Sequence, residues 1–396
     1  MKAVTWQGHR DVQVLDVPDP TIQEPDDVVI EVTSTGLCGS DLHLYEVLGP
    51  FMTPGDVMGH ETMGIVVERG SDVKTLDVGD RVVVPFQIAC GSCFMCERGL
   101  QTQCEVTQVK DQGMGAALFG FSSLYGSVPG GQAEYLRVPH ASYGAIPARE
   151  NLPDERYVYL SDVLPTAWQG VQYAGVREGE TLVVVGLGPI GDMAVRLALH
   201  QGVRVIGIDR VPERLARVQS RGAEIVALDE PNVVETILGL TSGRGADGVI
   251  DAVGMEAHGS PAAGLTHRMA QHLPSGAARA VMRNASIDRL AALQLATAVV
   301  RRGGTVSISG VYAGTMDPFS LQTLFDRQLT LRMGQANVRH WVDDLLPLAE
   351  RSDDPLGLEE FATHRLPLTD AAHAYDIFQR KEDGAVKVVF DPRTTS

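Results

Sequence analysis

The chain has 396 residues, of which 44% are hydrophobic and 21% are charged, and its formal net charge is −17. This composition is typical of a well-cored globular protein, and the length predicts two domains. The negative charge and the absence of any Lys/Arg cluster disfavour nucleic-acid and membrane partners. There is no signal-peptide pattern and no apolar run of about 20 residues, so we expect a cytoplasmic protein with reduced thiols.

The first part of the chain, up to about residue 148, is predicted to be rich in β-strands. Near-alternating or continuous apolar patterns predict strands in DDVVIEVTSTG (26–36) and ETMGIVVERG (61–70). A further strand follows the Gly-Asp turn in VGDRVVVPF (78–86).

Four of the five cysteines lie in one polar, Gly-containing lobe, CGSCFMCERGLQTQC (90–104). The spacing C-x2-C-x2-C-x7-C is typical of four thiolates that bind a structural zinc ion. The lobe has no apolar core of its own, so a metal would hold its backbone. Two disulfides are the alternative, but a long chain with one further cysteine does not resemble a secreted disulfide scaffold. The predicted zinc ligands are Cys90, Cys93, Cys96 and Cys104.

After about residue 160, predicted strands alternate with predicted helices. The strands are TLVVVGLG (181–188), VRVIGID (203–209), ADGVIDAVG (246–254) and GGTVSISGVY (303–312). The helices are GPIGDMAVRLALHQG (188–202) and PERLARVQSRG (212–222). This order predicts a parallel sheet with crossover helices. Mixed elements return from about Ala336 and end in the strand AVKVVF (385–390).

A glycine-rich turn joins the first of these strands to the first helix. Gly186, Gly188 and Gly191 allow a tight turn, a close approach of the backbone to a pyrophosphate, and close helix packing. Asp209 ends the next strand, where a carboxylate can bind the ribose hydroxyls of an adenosine. That carboxylate favours NAD over NADP, although Arg210 beside it could weaken the preference. A Rossmann-like domain that has lost its ligand is the alternative.

Two further side chains in the β-rich region suit zinc: Cys38 in GLCGSDLH and His60 in GDVMGHETMG. Alone, each would be weak evidence for a zinc site, because a single Cys is more often a small core residue and a single His is more often a structural residue. Beside a nucleotide-binding pattern and a four-cysteine lobe, they form a specific combination.

With these segments in order, and with the closing GAVKVVF, the sequence resembles the zinc-dependent medium-chain alcohol dehydrogenases over nearly its whole length. The resemblance implies an α/β fold, with a GroES-like β-rich catalytic domain (1–163 and 336–396) and a Rossmann domain with a doubly wound parallel sheet (164–335). The active site would lie in the cleft between them. A segment of about 255–290, which contains His258, His267 and His272, is similar to an insertion of the formaldehyde dehydrogenase branch.

By this resemblance, Cys38 and His60 bind a catalytic zinc. Many family members supply a third ligand as Cys, but the matching residue here is Asp162 in YLSDVLPTAWQGVQYAG, as in the formaldehyde dehydrogenase branch. A carboxylate oxygen is a competent zinc ligand. Asp162 could instead be only the N-cap of the following helix.

The resemblance also assigns roles to three neighbours of these ligands. Glu61 would be a carboxylate behind the zinc or a transient ligand, and its alternative is a buried salt-bridge partner. Ser40 would take the proton of the substrate hydroxyl and pass it, through the cofactor ribose, to His43 near the surface. The alternatives are a turn or N-cap hydroxyl for Ser40 and a partly exposed helix residue for His43.

Cofactor contacts follow from the same resemblance. Arg214 would flank the adenosine ribose and Lys387 would reach the pyrophosphate, unless either is a solvated surface charge. The stretch 112–135 would line the substrate path, with Phe119 and Phe121 narrowing it. The full predicted set of cofactor residues is Gly186, Gly188, Pro189, Ile190, Gly191, Asp209, Arg210, Arg214, Val311, Gln335 and Lys387.

The resulting hypothesis is an oxidoreductase with two zinc ions per chain that transfers a hydride between NAD and an alcohol or hydrated aldehyde such as formaldehyde. An aldehyde dismutase with tightly held NAD, and a zinc-free nucleotide-binding reductase of the same superfamily, are the alternatives. Family likeness implies a homodimer or homotetramer.

Overall fold

A computed structural model describes residues 1–148, 151–254, 290–312 and 320–394. The strands in chain order are β1 Lys2–Gly8, β2 Asp11–Asp16, β3 Val28–Leu37, β4 Glu61–Arg69, β5 Arg81–Val84, β6 Tyr135–Val138, β7 Ile146–Pro147, β8 Thr181–Val185, β9 Arg204–Asp209, β10 Glu224–Ala227, β11 Ala246–Asp251, β12 Val300–Ile308, β13 Thr330–Met333, β14 His364–Pro367 and β15 Val388–Asp391. The helices are α1 Gly39–Glu46, α2 Ala141–Gly144, α3 Val163–Ala174, α4 Pro189–His200, α5 Pro212–Gln219, α6 Val233–Leu240, α7 Ala291–Val299, α8 Leu321–Asp326, α9 Val338–Ala349 and α10 Ala371–Arg380.

The chain divides into two compact units, Met1–Pro165 with Ala336–Ser396, and Thr166–Gln335. Residues 164 and 165, which the sequence analysis assigned to the second domain, belong to the first unit. The predicted insertion and its three histidines lie outside the described residues, apart from its last position, Leu290.

The first unit is built on a sheet with the strand order β14-β15-β3-β4-β5-β7, and β6 also pairs with β3. Strand β3 is central because its alternate residues Val28, Ile30 and Val32 all enter one apolar core, together with Val82 of β5 and Leu136 of β6. This sheet confirms the predicted GroES-like, β-rich domain.

The C-terminal segment completes that sheet. Strand β15 pairs antiparallel with β3 and parallel with β14. The predicted closing strand is therefore confirmed, and it brings residue Lys387, which directly precedes it, next to the end of β3.

The second unit is a six-stranded parallel sheet with the order β10-β9-β8-β11-β12-β13. The chain winds outward from β8 through β9 to β10, then returns beside β8 and winds the other way through β11. The predicted doubly wound Rossmann sheet is confirmed. The carboxyl ends of β8 and β11 flank the position where the order reverses, which is where ligands bind in such sheets.

Among the residues that the structure describes, no helix is both long enough and apolar enough to cross a membrane.

Candidate metal centres and cofactor turn

Four buried side chains of the first unit converge: Cys38, His60, Glu61 and Asp162 each place one possible ligand atom within 4.8 Å of the others. The Asp162 carboxylate oxygen Oδ2 lies 3.3 Å from Cys38 Sγ and 3.3 Å from His60 Nε2. Ligand atoms around a tetrahedral zinc ion are separated by roughly 3.4–3.6 Å when zinc–oxygen, zinc–nitrogen and zinc–sulfur distances are normal. The three predicted ligands of the catalytic zinc are therefore brought together at suitable spacings.

Local structure accounts for this convergence. Strand β3 ends at Leu37 and helix α1 begins at Gly39, so Cys38 lies between them as the N-cap residue. His60 directly precedes β4, after Gly59, whose φ of +94° favours glycine. Asp162 directly precedes α3. The alternative role, an N-cap of this helix, predicts the same position.

The charges and the pKa shifts in this cluster favour a bound cation. Burial raises the pKa of the Cys38 thiol to about 12, and the Asp162 carboxylate adds to the effect. Burial lowers the pKa of the His60 imidazole, but the carboxylates of Asp41 and Asp162 outweigh it and hold that pKa well above its ordinary value. A divalent metal ion would offset the charge of these buried acids and favour the thiolate.

Glu61 forms a buried ion pair with Lys387. The Lys387 ammonium lies 2.6 Å and 2.5 Å from the two Glu61 oxygens, and it also donates to the backbone oxygen of Leu37 at 3.0 Å. Both side chains are 0% exposed. Burial raises the pKa of Glu61, and the Lys387 ammonium opposes that rise. The structure shows this salt bridge and also places a Glu61 oxygen within 4.8 Å of the other possible ligand atoms, so a role behind the zinc stays a prediction.

The same geometry corrects the prediction for Lys387. Its three ammonium hydrogens are directed at Glu61 and Leu37, and it has no exposed surface. The prediction that Lys387 reaches the cofactor pyrophosphate is wrong, and so is the alternative of a solvated surface charge.

Ser40 lies within the metal cluster. Its hydroxyl oxygen is 3.1 Å from His60 Nε2 and donates to Cys38 Sγ at 3.4 Å. Because Cys38 is the N-cap of α1, the N-cap alternative for Ser40 is wrong. His43, on the same helix, is only 6% exposed. The alternative of a partly exposed helix residue is therefore wrong, and the proton-relay role of His43 stays a prediction.

Asp41 is a site residue that the sequence analysis missed. It is fully buried, its Oδ1 lies 3.1 Å from His60 Nδ1, and its Oδ2 accepts a hydrogen bond from the backbone N–H of Cys38. The pairing leaves Nε2 of the imidazole facing the cluster. A signal was present, since an acidic residue three positions after an N-cap fits a capping box.

The four-cysteine lobe forms a second candidate metal centre. All five cysteines are free, and the sulfurs of Cys90, Cys93, Cys96 and Cys104 lie within 4.8 Å of one another. The disulfide alternative is therefore wrong. The sulfurs of Cys93 and Cys104 are 3.9 Å apart, close to the roughly 3.8 Å expected around tetrahedral zinc.

Backbone N–H groups favour the thiolate form at two of these cysteines, Cys93 and Cys104, where they outweigh the effect of burial on the pKa. Cys90 N–H donates to Cys104 Sγ and Glu105 N–H donates to Cys93 Sγ, each at 3.4 Å. Burial raises the pKa of Cys93, but N–H groups of the backbone, including that of Glu105, outweigh it and lower the pKa to about 6. A thiolate is accordingly stabilised before any metal binds.

In the second unit, the glycine-rich turn is closely packed at Gly191 and open at Gly188. A Cβ on Gly191 would lie 1.8 Å from the Gly186 backbone oxygen, so the turn and helix α4 touch there. A Cβ on Gly188 would have one neighbour within 4 Å among the described residues, Arg214 Nη1, at 3.6 Å. Room is therefore left at Gly188, at the N-terminus of α4, where Pro189 and Ile190 open the helix.

Asp209 and Arg214 lie at the same turn. Asp209 Oδ2 accepts from Leu187 N–H at 2.7 Å, and its Oδ1 accepts from the N–H groups of Arg210 and Val211. Arg214 Nη1 is 3.9 Å from Asp209 Oδ2. The carboxylate is thus held at the end of β9, and Oδ2, which accepts one N–H group, keeps a lone pair for a further donor.

The other predicted residues are placed separately. Val311 follows β12 and is 49% exposed, and Gln335 follows β13. The neighbouring Tyr312 donates a hydrogen bond to Asp251, at the end of β11, and so joins the segments after the two strands. Phe119 is 2% exposed and packs in the β-sheet core, so the expectation that it narrows a substrate path is wrong.

Comparison with known proteins follows the same division. The model of an alcohol dehydrogenase GroES-like domain matches residues 24–148, and that of a zinc-binding dehydrogenase matches residues 189–271. An uncharacterised zinc-type alcohol dehydrogenase-like protein, AdhB, of Bacillus subtilis (strain 168) is 42% identical over 99% of this chain and 100% of its own length. Formaldehyde dismutase of Pseudomonas putida is 37% identical over 80% of this chain and 76% of its own length. Among solved structures, alcohol dehydrogenase TADH from Thermus sp. ATN1 is 34% identical, with a TM-score of 0.83, over 99% of this chain and 100% of that one.

Proposed function

The chain belongs to the zinc-dependent medium-chain alcohol dehydrogenase family, and on that premise we propose that it transfers a hydride between NAD and an alcohol or hydrated aldehyde. The observation that carries the proposal is the buried cluster of Cys38, His60 and Asp162, at spacings that suit zinc. A zinc-free reductase has no use for a thiol, an imidazole and a carboxylate that converge in this way.

Two zinc ions are proposed, one at this cluster and one in the four-cysteine lobe. At the first, zinc supplies a Lewis acid that lowers the pKa of a substrate hydroxyl, and NAD supplies the hydride acceptor. The residues of the chain hold and orient these groups: Asp41 fixes the His60 ring, and Ser40 places a hydroxyl at the cluster that can carry the substrate proton. We expect the enzyme to act in the cytoplasm, as a dimer or tetramer.

Formaldehyde, oxidised as its hydrate, is the proposed aldehyde substrate. The Asp162 ligand and the stretch 112–135 resemble the formaldehyde dehydrogenase branch, and a relative of 37% identity is a formaldehyde dismutase. That relative makes dismutation the second candidate.

One set of measurements separates these functions. Elemental analysis should find two zinc ions per chain, whereas a zinc-free reductase would hold at most the one in the cysteine lobe. NADH absorbance should rise with primary alcohols or with formaldehyde, tested with and without glutathione. If formaldehyde without added NAD yields methanol and formate together, the enzyme is a dismutase. A chain with two zinc ions that oxidises none of these substrates would contradict the proposal.

Replacing Ser40 with alanine should lower kcat by about 100-fold or more, because a positioned proton carrier contributes about that much. The zinc content should stay at the wild-type value, since Ser40 is not one of the proposed ligands. Ser40→Thr, which keeps a hydroxyl at this place, is the matched control and should recover a large part of the activity. Unchanged turnover in Ser40→Ala would remove the hydroxyl from the reaction.

Two glycine variants test the cofactor turn. Gly188 has an ordinary φ of −67°, and the described residues leave space for a methyl group there, so Gly188→Ala should fold normally. Its methyl group should enter the space of the pyrophosphate and raise the Kd for NADH about tenfold or more. Gly191→Ala places a methyl group 1.8 Å from the Gly186 oxygen and should instead lower the melting temperature. NADH fluorescence titration and thermal unfolding distinguish the two, and equal cofactor affinity in Gly188→Ala would count against a pyrophosphate there.

A further inference from the structure

A chain of buried polar side chains leads away from His60 on the side opposite the metal ligands. Asp41 lies 3.1 Å from His60 Nδ1, and Gln132 donates its amide N–H to Asp41 Oδ2 at 3.3 Å. Tyr375 donates its hydroxyl to Gln132 Oε1 at 2.8 Å. Asp41, Gln132 and Tyr375 are each 0% exposed.

Both the nitrogen and the oxygen of the Gln132 amide have hydrogen-bond partners. Its nitrogen donates to Asp41 and also to the backbone oxygen of Gly36 at 3.1 Å, while its oxygen accepts from Tyr375. Because the Gly36 carbonyl oxygen and the Asp41 carboxylate can only accept, the amide nitrogen must face them, which leaves the amide oxygen to accept from Tyr375. Gln132 therefore presents an N–H, not an oxygen, to the Asp41 carboxylate.

Gln132 also packs against the backbone that carries His60. A Cβ on Gly59, the residue before His60, would lie 2.3 Å from Gln132 Cγ and 2.7 Å from its backbone nitrogen. Gln132 thus contacts two neighbours of His60: Asp41, which lies beside the imidazole ring, and Gly59, which precedes His60 in the chain.

Tyr375 reaches this chain from helix α10, in the C-terminal segment. Its ring centroid lies 5.3 Å from that of Tyr45, and both residues are buried. Packing alone would be served by phenylalanine, because a buried hydroxyl contributes little to stability unless it is hydrogen-bonded. The Tyr375 hydroxyl donates a hydrogen bond to Gln132 Oε1, which a phenylalanine could not make.

We propose, on the basis of the proposed zinc enzyme, that Gln132 and Tyr375 are positioning residues for the metal-binding His60. They hold the Asp41 carboxylate 3.1 Å from Nδ1 of the imidazole, which favours the tautomer with its hydrogen on Nδ1 and leaves the Nε2 lone pair for the metal. Partners behind a metal-binding histidine act in this way by fixing its tautomer and ring orientation. The role reaches from His60 to a helix more than three hundred residues later in the chain.

The test uses the full-length, zinc-loaded protein and its cobalt-substituted form. Removing a direct partner of a metal-binding histidine costs about 10- to 100-fold in metal affinity, so these more distant residues should cost less. We expect Gln132→Met to speed release of the cluster zinc to a chelator about tenfold, and Tyr375→Phe about threefold. Both should shift the visible absorption bands of cobalt at this cluster. Tyr45→Phe, which removes a hydroxyl from the same aromatic pair, is the matched control and should change neither quantity.

Coupling supplies the decisive comparison. If Tyr375 acts through Asp41, the effect of Tyr375→Phe on zinc release should largely disappear in an Asp41→Asn background. Unchanged release and unchanged cobalt spectra in Tyr375→Phe, whatever its melting temperature, would overturn the inference, and that variant decides the matter even if Gln132→Met does not fold. A wild-type chain that binds no metal at Cys38, His60 and Asp162 would overturn the proposed function as well.

Discussion

Asp162→Ala will bind one zinc ion per chain instead of two, and its kcat/KM for alcohol oxidation will fall by more than about 100-fold. Removing a residue that only supports a metal ligand costs up to about 100-fold, so losing a ligand itself should cost more. The reason is that a catalytic zinc needs three protein ligands, and Asp162 Oδ2 is the group that lies 3.3 Å from both Cys38 Sγ and His60 Nε2. Elemental analysis gives the zinc content, and NADH absorbance gives the rate.

Asp162→Cys is the matched control for this prediction. Many members of the family have Cys at the corresponding position, and a thiolate is a good zinc ligand. The Cys variant should keep two zinc ions per chain and measurable activity. If Asp162→Ala also keeps two zinc ions, Asp162 is a helix-capping residue and the third ligand lies elsewhere.

Lys387→Met will lower the free energy of unfolding by about 3–5 kcal/mol, because it leaves the Glu61 carboxylate buried without its partner. Both side chains are 0% exposed, and methionine closely matches the length of the aliphatic part of lysine. Thermal unfolding of the zinc-loaded protein, followed by circular dichroism, should show the loss as a lower melting temperature.

The double variant Glu61→Gln with Lys387→Met isolates the ion pair. With no charge left in the pocket, much of the stability should return, so the two changes together should cost less than the sum of the single ones. If Lys387→Met instead raises the Kd for NADH and leaves the melting temperature unchanged, Lys387 contacts the cofactor and does not act only through Glu61.

The sheets could be predicted because their signals are local. The alternation of Val28, Ile30 and Val32 marks the buried face of β3, and the sequence from β8 to β9 changes its apolar period at the glycine-rich turn. By contrast, β10 was missed, since it has four residues and begins with a glutamate at the sheet edge.

The convergence of Cys38, His60 and Asp162 could be predicted because cysteine and histidine have distinctive chemistry and all three residues lie in segments that match the family. The residues behind them were harder to predict, since Asp41, Gln132 and Tyr375 come from distant parts of the chain. In the sequence alone, nothing about each of them indicates a role beyond its own segment. The errors have a related cause. The positive charge of Lys387 suited contact with the cofactor pyrophosphate, but the side chain is buried and pairs with Glu61 instead. The buried residues Val386 and Val388 on either side were the indication in the sequence that Lys387 would be buried.

The insertion of β15 between β14 and β3 has a consequence for protein synthesis. Lys387 and Tyr375, which support Glu61 and Asp41, leave the ribosome well over three hundred residues after Cys38. The parallel sheet of the second unit lies wholly between these segments, so it can fold on the nascent chain first. The cluster of Cys38, His60 and Asp162 is then completed only when the C-terminal segment arrives, and chains released before that point would hold these side chains without Lys387 and Tyr375 behind them.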